Sequence, residues 1–336
     1  MRILERLDQL AALGDRVGYS PEEDAAHELA AEWFRAAGLE VEVDEGGNLI
    51  GRVPGGAREV WTGSHLDTVP GAGRFDGTLG VVAGLEAVER LKLPGLAVAV
   101  FRDEERGCGG SRARVASGSL PDAYVELHIE QGPTLLRADA PLGVVTAIVG
   151  YVRGSRTFTG TPGHAGTTPM DVREDALVAA AEFVLHAREA AGAIDGAVAT
   201  VGQVTVEPGG TNVIPGRVVL SVDARAPDAD RLDRLAAALA IEEPIRTEPA
   251  PMAEEIRAAL RDAVAAVGAP VLELPSGAGH DAGILATAGV PSGMLFVRSL
   301  NGGVSHNPAE LSSEEDIALA VDALERALGN LVSISH

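Results

Sequence analysis

Hydrophobic and polar positions along the chain switch between a helical period and a two-residue period, and the switches mark out successive elements. "SPEEDAAHELAAEWFRAAG", residues 20–38, has apolar residues at helical spacing, Ser20 placed to cap, Pro21 in the first turn, acids behind it and Gly38 as the stop. "LEVEVDEGGNLIGRV", residues 39–53, alternates around a glycine turn and predicts two strands. Residues 58–67, "REVWTGSHLD", predict a strand running into a glycine-rich loop, followed by a helix over "GTLGVVAGLEAVERL" and a buried strand over "GLAVAVF" that ends in "RDEE". "DAYVELHIEQG", residues 122–132, repeats the pattern of an apolar strand closing on polar residues. Such alternation predicts an α/β unit with a largely buried sheet.

From about Leu142 the texture changes. Strand-rich "GVVTAIVGYVRGSRTFTG", the amphipathic helix "REDALVAAAEFVLHAREAAG", the strands "AVATVGQVTV" and "GRVVLSVDARA" and the helix "DADRLDRLAAALA" make a βαββα unit of about a hundred residues, a small domain in its own right. The proline-rich, charged "IEEPIRTEPAP", residues 241–251, reads as a linker returning to the first unit. Helix "AEEIRAALRDAVAAVG", strand "VLEL", helix "DAGILATAG", strand "PSGMLFV" and helix "SSEEDIALAVDALERALGN" then resume the α/β pattern. The expected organisation is one domain in two segments, 1–146 and 251–336, with a smaller domain inserted at 147–250.

Length supports this division, because 336 residues exceed the usual size of one core. Hydrophobic residues are 46% of the chain but aromatics only 3%, so the core rests on Ala, Val, Leu and Ile. A net charge of -22 argues against nucleic acid and anionic membranes, since both need clustered Lys and Arg. One cysteine, Cys108, excludes an intrachain disulfide, and nothing beside it activates the thiol, so it reads as structural. "MRILERLDQLAALGD" lacks the unbroken apolar core of a secretion signal, and no apolar run approaches a membrane span. A soluble cytoplasmic protein is the expectation.

The candidate chemistry gathers at predicted strand ends, where open α/β sheets bind ligands. His65, Asp76, Glu105, His128 and His306 are candidate metal ligands, a mixture of imidazole and carboxylate that suits zinc or another first-row divalent ion. Within "HLD", Asp67 lies on the same side of an extended strand as His65 and is placed to fix its tautomer. In "DEE", residues 103–105, three like charges leave a hydrophobic strand together; a solvated acidic turn is one reading, and the buried "VAVF" before them favours the other, a neutralising cation. The loop "GSHLDTVPGAGRFDG" has the glycines needed to fold His65 and Asp76 back to one point.

Six runs then carry a specific resemblance: "GSHLDTVPGAGRFDGTLGV", "ELHIEQGP", "GHAGTTPMDVREDAL", "GGTNVIPGR", "SGAGHDA" and "SHNPAE". In this order, from Gly63 to Glu310, they resemble the zinc-dependent amidases that include N-carbamoyl-L-amino-acid hydrolases, β-alanine synthase and allantoate amidohydrolase, within the aminoacylase and carboxypeptidase superfamily of dinuclear zinc hydrolases. The resemblance implies an α/β, mixed-sheet catalytic domain with an inserted, smaller α+β ferredoxin-like lid and dimerisation domain. It implies two divalent metal ions, zinc first, with manganese, cobalt or nickel as alternatives, His65 and His128 as terminal ligands, Asp76 as the bridge, and Glu105 and His306 as the other ligands. It also implies Glu104 as general base, His164 as oxyanion donor, and Gln131, His164, Asn212, Arg225 and His280 as substrate contacts. The implied activity is hydrolysis of the ureido C–N bond of an N-carbamoyl-L-amino acid or allantoate-like ureido acid by a homodimer. An N-acyl-amino-acid deacylase or dipeptidase of the same superfamily and a non-catalytic metal-binding homologue are the alternatives. Two departures concern the substrate pocket: the stretch between Ser111 and Glu126 is shorter than in typical members, and Cys108 stands in a segment that usually carries Arg and Phe.

Overall fold

The computed structural model describes residues 2–333. Its described residues up to Ile148 and from Pro251 onward form one compact unit, and Val149–Ala250 form a second.

The first segment contains α1 (Arg2–Ala11), α2 (Pro21–Ala36), β1 (Glu40–Val43), β2 (Leu49–Arg52), β3 (Val60–His65), α3 (Thr78–Leu91), β4 (Leu96–Phe101), α4 (Gly109–Ser117), β5 (Ala123–Ile129), α5 (Thr134–Ala138) and β6 (Leu142–Ile148). The second unit contains β7 (Gly150–Thr159), β8 (Gly163–His164), α6 (Ala176–Gly192), β9 (Val198–Glu207), β10 (Val213–Ile214), β11 (Arg217–Ala226), α7 (Ala229–Leu239) and β12 (Glu242–Thr247). After β13 (Ala250–Pro251), the chain closes with α8 (Glu254–Ala266), β14 (Glu273–Ser276), α9 (Asp281–Thr287), β15 (Ser292–Val297) and α10 (Glu314–Ser333).

The main sheet is mixed, in the order β1-β2-β4-β3-β5-β15-β6-β13 with β14 beside β6. Its centre, β4-β3-β5-β15, is parallel. These four strands are buried at every residue, as strands covered on both faces must be, which explains their unbroken apolar runs. Because they point the same way, their carboxyl ends deliver His65, the "RDEE" turn and His128 to one edge. His65 is level with Phe101, and Phe296 with His128. α3 starts directly behind the glycine loop and is buried from Thr78 through Val88.

In the second unit the order β12-β7-β11-β9 is wholly antiparallel, a ferredoxin-like β-α-β-β-α-β arrangement with α6 and α7 packed on Val218, Leu220, Val222 and Ala224. The predicted linker is therefore corrected: Glu242–Thr247 is the fourth strand of this sheet. It is an edge strand exposed along nearly its whole length, so neither apolar alternation nor the absence of proline was required, and Pro244 is tolerated there. Other differences are smaller. The strand read at "VLEL" begins two residues later, at Glu273. The sequence pattern above gives no helix at α1, α4 or α5, although Ile3, Leu7 and Leu10 give α1 a buried face at helical spacing.

Gly63 shows how tightly the parallel centre is built. Its φ is +136°, and a Cβ there would lie 1.9 Å from the Ala99 carbonyl oxygen on β4. Gly63→Ala should lose at least about 2 kcal/mol of unfolding free energy in urea. Gly118→Ala, at a left-handed helix end with open space around it, should lose about 1 kcal/mol. Equal losses would show that close strand contact is not the constraint.

Candidate metal centre

The site begins where β3 ends. The His65 ring turns Nδ1 toward Asp67, 3.1 Å from its carbonyl oxygen and 3.2 Å from Oδ1, which leaves Nε2 facing Asp76 Oδ1 at 3.9 Å and Glu104 Oε2 at 3.7 Å. The end of β5 supplies His128, whose Nδ1 is anchored 2.9 Å from the Ile129 carbonyl oxygen while Nε2 faces Asp76 Oδ1 at 3.2 Å. His306 arrives from the loop before α10, and its Nε2 lies 3.3 Å from both Asp76 Oδ2 and Glu105 Oε2. His65, Asp76 and His128 thus form one group of donor atoms, and Asp76, Glu105 and His306 form another. Asp76 belongs to both.

The donor chemistry of these two groups fits a pair of divalent ions. Each group combines imidazole nitrogen with carboxylate oxygen, each buried imidazole has its outer nitrogen held by protein, and Glu105 Oε1 is buried without a hydrogen-bond partner. A third group, Glu126, His128 and His280, does not fit as well. Glu126 already accepts from Ser64 Oγ at 2.7 Å and Ala282 N at 2.9 Å, and His280 Nε2 is 2.9 Å from Ser276 Oγ.

Asp67 does more than orient His65. Its two carboxylate oxygens accept the backbone N–H groups of Glu104 and Glu105, each at 3.0 Å, so it sets the turn that carries the acidic pair. That division separates the pair: Glu105 faces His306, while Glu104 Oε1 lies 4.0 Å from His280 Nδ1 and from Cys108 Sγ. Burial pushes Glu104 well above the ordinary carboxylate range, opposed by His65 and reinforced by Asp281, Glu105 and Glu126. Burial would likewise lower His65, but Glu104, Asp67 and Asp76 hold it well above its usual value. Asp76 runs the other way: burial would raise it, and hydrogen bonds with His128 and His306 carry it well below. Burial, with His128, keeps His280 neutral, and burial drives the Cys108 thiol far upward, in keeping with a structural role.

Gln131 sits within this cluster, its Nε2 donating to Asp76 Oδ2 at 2.8 Å. The inserted unit holds the remaining predicted residues. β8 pairs with β10 so that His164 is opposite Val213, and Ala165 N donates to the Asn212 carbonyl oxygen at 3.0 Å, which brings His164 and Asn212 onto one ribbon. Arg225 lies on β11, bonded through Nε to Asp223 Oδ1 at 2.9 Å. Two contributors have no role assigned from sequence, Arg16 lying outside the quoted runs and Asp281 within "SGAGHDA". Buried Arg16 donates to the Leu66 and Leu10 carbonyl oxygens and to Thr78 Oγ1, strapping both ends of the glycine loop. Asp281, fully buried, is raised to about 8 by burial and Glu126.

Residues 61–330 match the model of peptidase family M20/M25/M40, and the chain belongs to that family. It is 37% identical to an N-carbamoyl-L-amino acid amidohydrolase of Geobacillus stearothermophilus over 402 aligned positions, covering 98% of each chain. An allantoate amidohydrolase of Bacillus subtilis is 34% identical over 362 positions, covering 88% of this chain and 87% of that one. Among solved structures, a hydantoinase/carbamoylase family amidase from Burkholderia multivorans superposes with a TM-score of 0.89 at 32% identity, covering 100% of this chain and 98% of the other.

Behind the acidic turn, buried His27 on α2 has neither ring nitrogen hydrogen-bonded, and burial together with Arg102 pushes it down to about 3. The folded protein therefore keeps His27 neutral while the unfolded chain takes up a proton below about 6.5. Its contribution to stability is intact above that pH and is lost as pH falls toward 3. Between pH 6.5 and 4.5, wild type should lose roughly 2–3 kcal/mol more than His27→Leu in urea unfolding. Parallel acid limbs would contradict this.

Proposed function

We propose that the chain hydrolyses the ureido C–N bond of an N-carbamoyl-L-amino acid or an allantoate-like ureido acid, releasing ammonia and carbon dioxide. The observation that carries this reading is the pair of donor groups sharing Asp76 with Glu104 beside them, in a chain similar over nearly its whole length to amidohydrolases of both kinds. His65, Asp76 and His128 would hold one ion and Asp76, Glu105 and His306 the other, with zinc best suited to this nitrogen and oxygen set. Bound there, such a pair supplies Lewis acidity to the ureido carbonyl and a water acidic enough to react at neutral pH.

Glu104 is the proton carrier. It is buried, its two oxygens lie nearest His65 and His280 while Glu105 faces His306, and as a carboxylate beside the proposed ions it can take a proton from water and return it to the departing nitrogen. The carbon–nitrogen bond breaks as that nitrogen is protonated, and the carbamate left behind falls apart to ammonia and carbon dioxide. His164 is assigned to the developing oxyanion. Its Nδ1 accepts the Gly166 N–H at 3.0 Å, which places the ring proton on Nε2, where it can be donated. Arg225 is assigned to the substrate carboxylate, with Asp223 fixing its guanidinium fork. Gln131, Asn212 and His280 complete the proposed substrate contacts.

A homodimer formed through the inserted unit belongs to the same reading. α6 exposes Leu177, Val178, Val184 and Leu185, and β9 presents an unpaired sheet edge with Val198 and Val204 exposed. A cytoplasmic location is supported by the single, buried, free cysteine. No described helix is long and apolar enough to cross a membrane.

Ammonia release by metal-loaded protein should occur with allantoate or with members of an N-carbamoyl-L-amino acid panel. Turnover only of N-acetyl amino acids or dipeptides would refute the ureido assignment. Glu104→Gln should lose roughly 10²–10⁴-fold in kcat while keeping the wild-type metal content by elemental analysis. Leu185→Asp combined with Val178→Asp should shift sedimentation from dimer to monomer without lowering the melting temperature of the main unit. A dimer that survives would place the interface elsewhere.

A further inference from the structure

The loop carrying Asp76 is fixed by a residue outside the donor groups. Glu310, 5% exposed, reaches it from the segment after His306. Its Oε1 accepts the backbone N–H groups of Phe75 at 2.8 Å and Asp76 at 3.0 Å. Ser305 Oγ lies 3.0 Å from Glu310 Oε2, 3.1 Å from Asp76 Oδ2 and 3.2 Å from Gln131 Nε2. One carboxylate therefore binds together two loops some 230 residues apart, one bearing Asp76 and the other His306. The approach is close enough to exclude a side chain at Gly73, where a Cβ would fall 2.4 Å from Glu310 Cβ.

We propose that Glu310 is a positioning residue that presets Asp76 and His306 for the ion they share with Glu105. The inference rests on the metal assignment above and adds to it the source of the geometry. Two successive backbone N–H groups pointing at one carboxylate leave the peptide plane at residue 76 little freedom. The Asp76 side chain is then free to turn both oxygens toward donors on opposite sides. Ser305 has one hydroxyl proton to give, to Glu310 or to Asp76. It can follow Asp76 as that carboxylate takes up a cation, without disturbing the backbone clamp. Asp67 plays the matching part for Glu105, accepting the N–H groups of Glu104 and Glu105, so each carboxylate ligand is placed by a buried carboxylate from another segment.

The test is zinc affinity, read by competition with a chromophoric chelator on metal-stripped protein, alongside the melting temperature of the stripped forms. Glu310→Ala should weaken one of two zinc equivalents by about 10–100-fold. Glu310→Gln retains an oxygen that accepts both N–H groups and should stay within about threefold of wild type. Gly73→Ala removes no polar group but displaces Glu310, so it should behave like Glu310→Ala. If Glu310→Ala does not fold, weak binding by Gly73→Ala with normal binding by Glu310→Gln still supports the clamp. Normal affinity for both equivalents in Gly73→Ala or Glu310→Ala overturns it, as does a Glu310→Gln as weak as the alanine variant. Wild-type protein that binds no zinc overturns the metal assignment and the clamp together.

Discussion

Negative charge buried at one edge of the sheet is the constraint on which the rest of this structure depends. Asp67, Asp76, Glu104, Glu126, Asp281 and Glu310 are all buried there, with Glu105 beside them. Burying a carboxylate without compensation costs several kcal/mol. Four members are relieved by protein donors: Asp67 and Glu310 by pairs of backbone N–H groups, Glu126 by Ser64 and Ala282 N, and Asp76 by Gln131 Nε2 together with its histidine neighbours. Burial raises the proton affinity of Glu104, Glu105 and Asp281, and also of Glu126 and Glu310 in spite of their donors. The concentration of uncompensated acid is what gives divalent cations their place in the proposed chemistry.

Holding such groups together demands a rigid frame and unusual backbone. The frame is the parallel centre of the sheet, whose strands end in register and whose glycines admit neighbours that a side chain would exclude. The unusual backbone is local: Asp103, Cys108, Gln131 and His306 all adopt positive φ, a conformation that non-glycine residues avoid unless their surroundings hold them there. Glu23 Oε1 accepts the Asp103 N–H at 3.0 Å and Ser299 Oγ that of Gln131 at 3.1 Å, while Arg16, Asp67 and Glu310 bond to main-chain groups of neighbouring loops.

Much of this was legible in the chain. The buried strands announced themselves as "VAVF" and "YVELHI", and the polar residues that follow them marked the edge where the donors meet. The edge strand Glu242–Thr247 did not, because a strand that buries almost nothing leaves no apolar period to read. The roles of Arg16 and Glu310 were hidden for another reason. The bonds that tie them to the glycine loop run to main-chain groups of Leu66, Phe75 and Asp76, far away along the chain, and such bonds leave no pattern in residue types.

By itself the sequence determined the alternation of helices and strands, the types of donor available and the order of motifs that places the chain in its family. These depend on local periodicity and on side-chain chemistry, which every residue carries wherever it lies. The resemblance already implied a bridging Asp76 and separate roles for Glu104 and Glu105; tertiary structure decided which neighbours each of these carboxylates faces, and it alone decided that Asp67 and Glu310 hold the turns beneath them. Those outcomes follow from strand register and loop closure, which bring residues 65, 76, 105, 128 and 306 within a few ångströms and fix which oxygen of each carboxylate faces which neighbour.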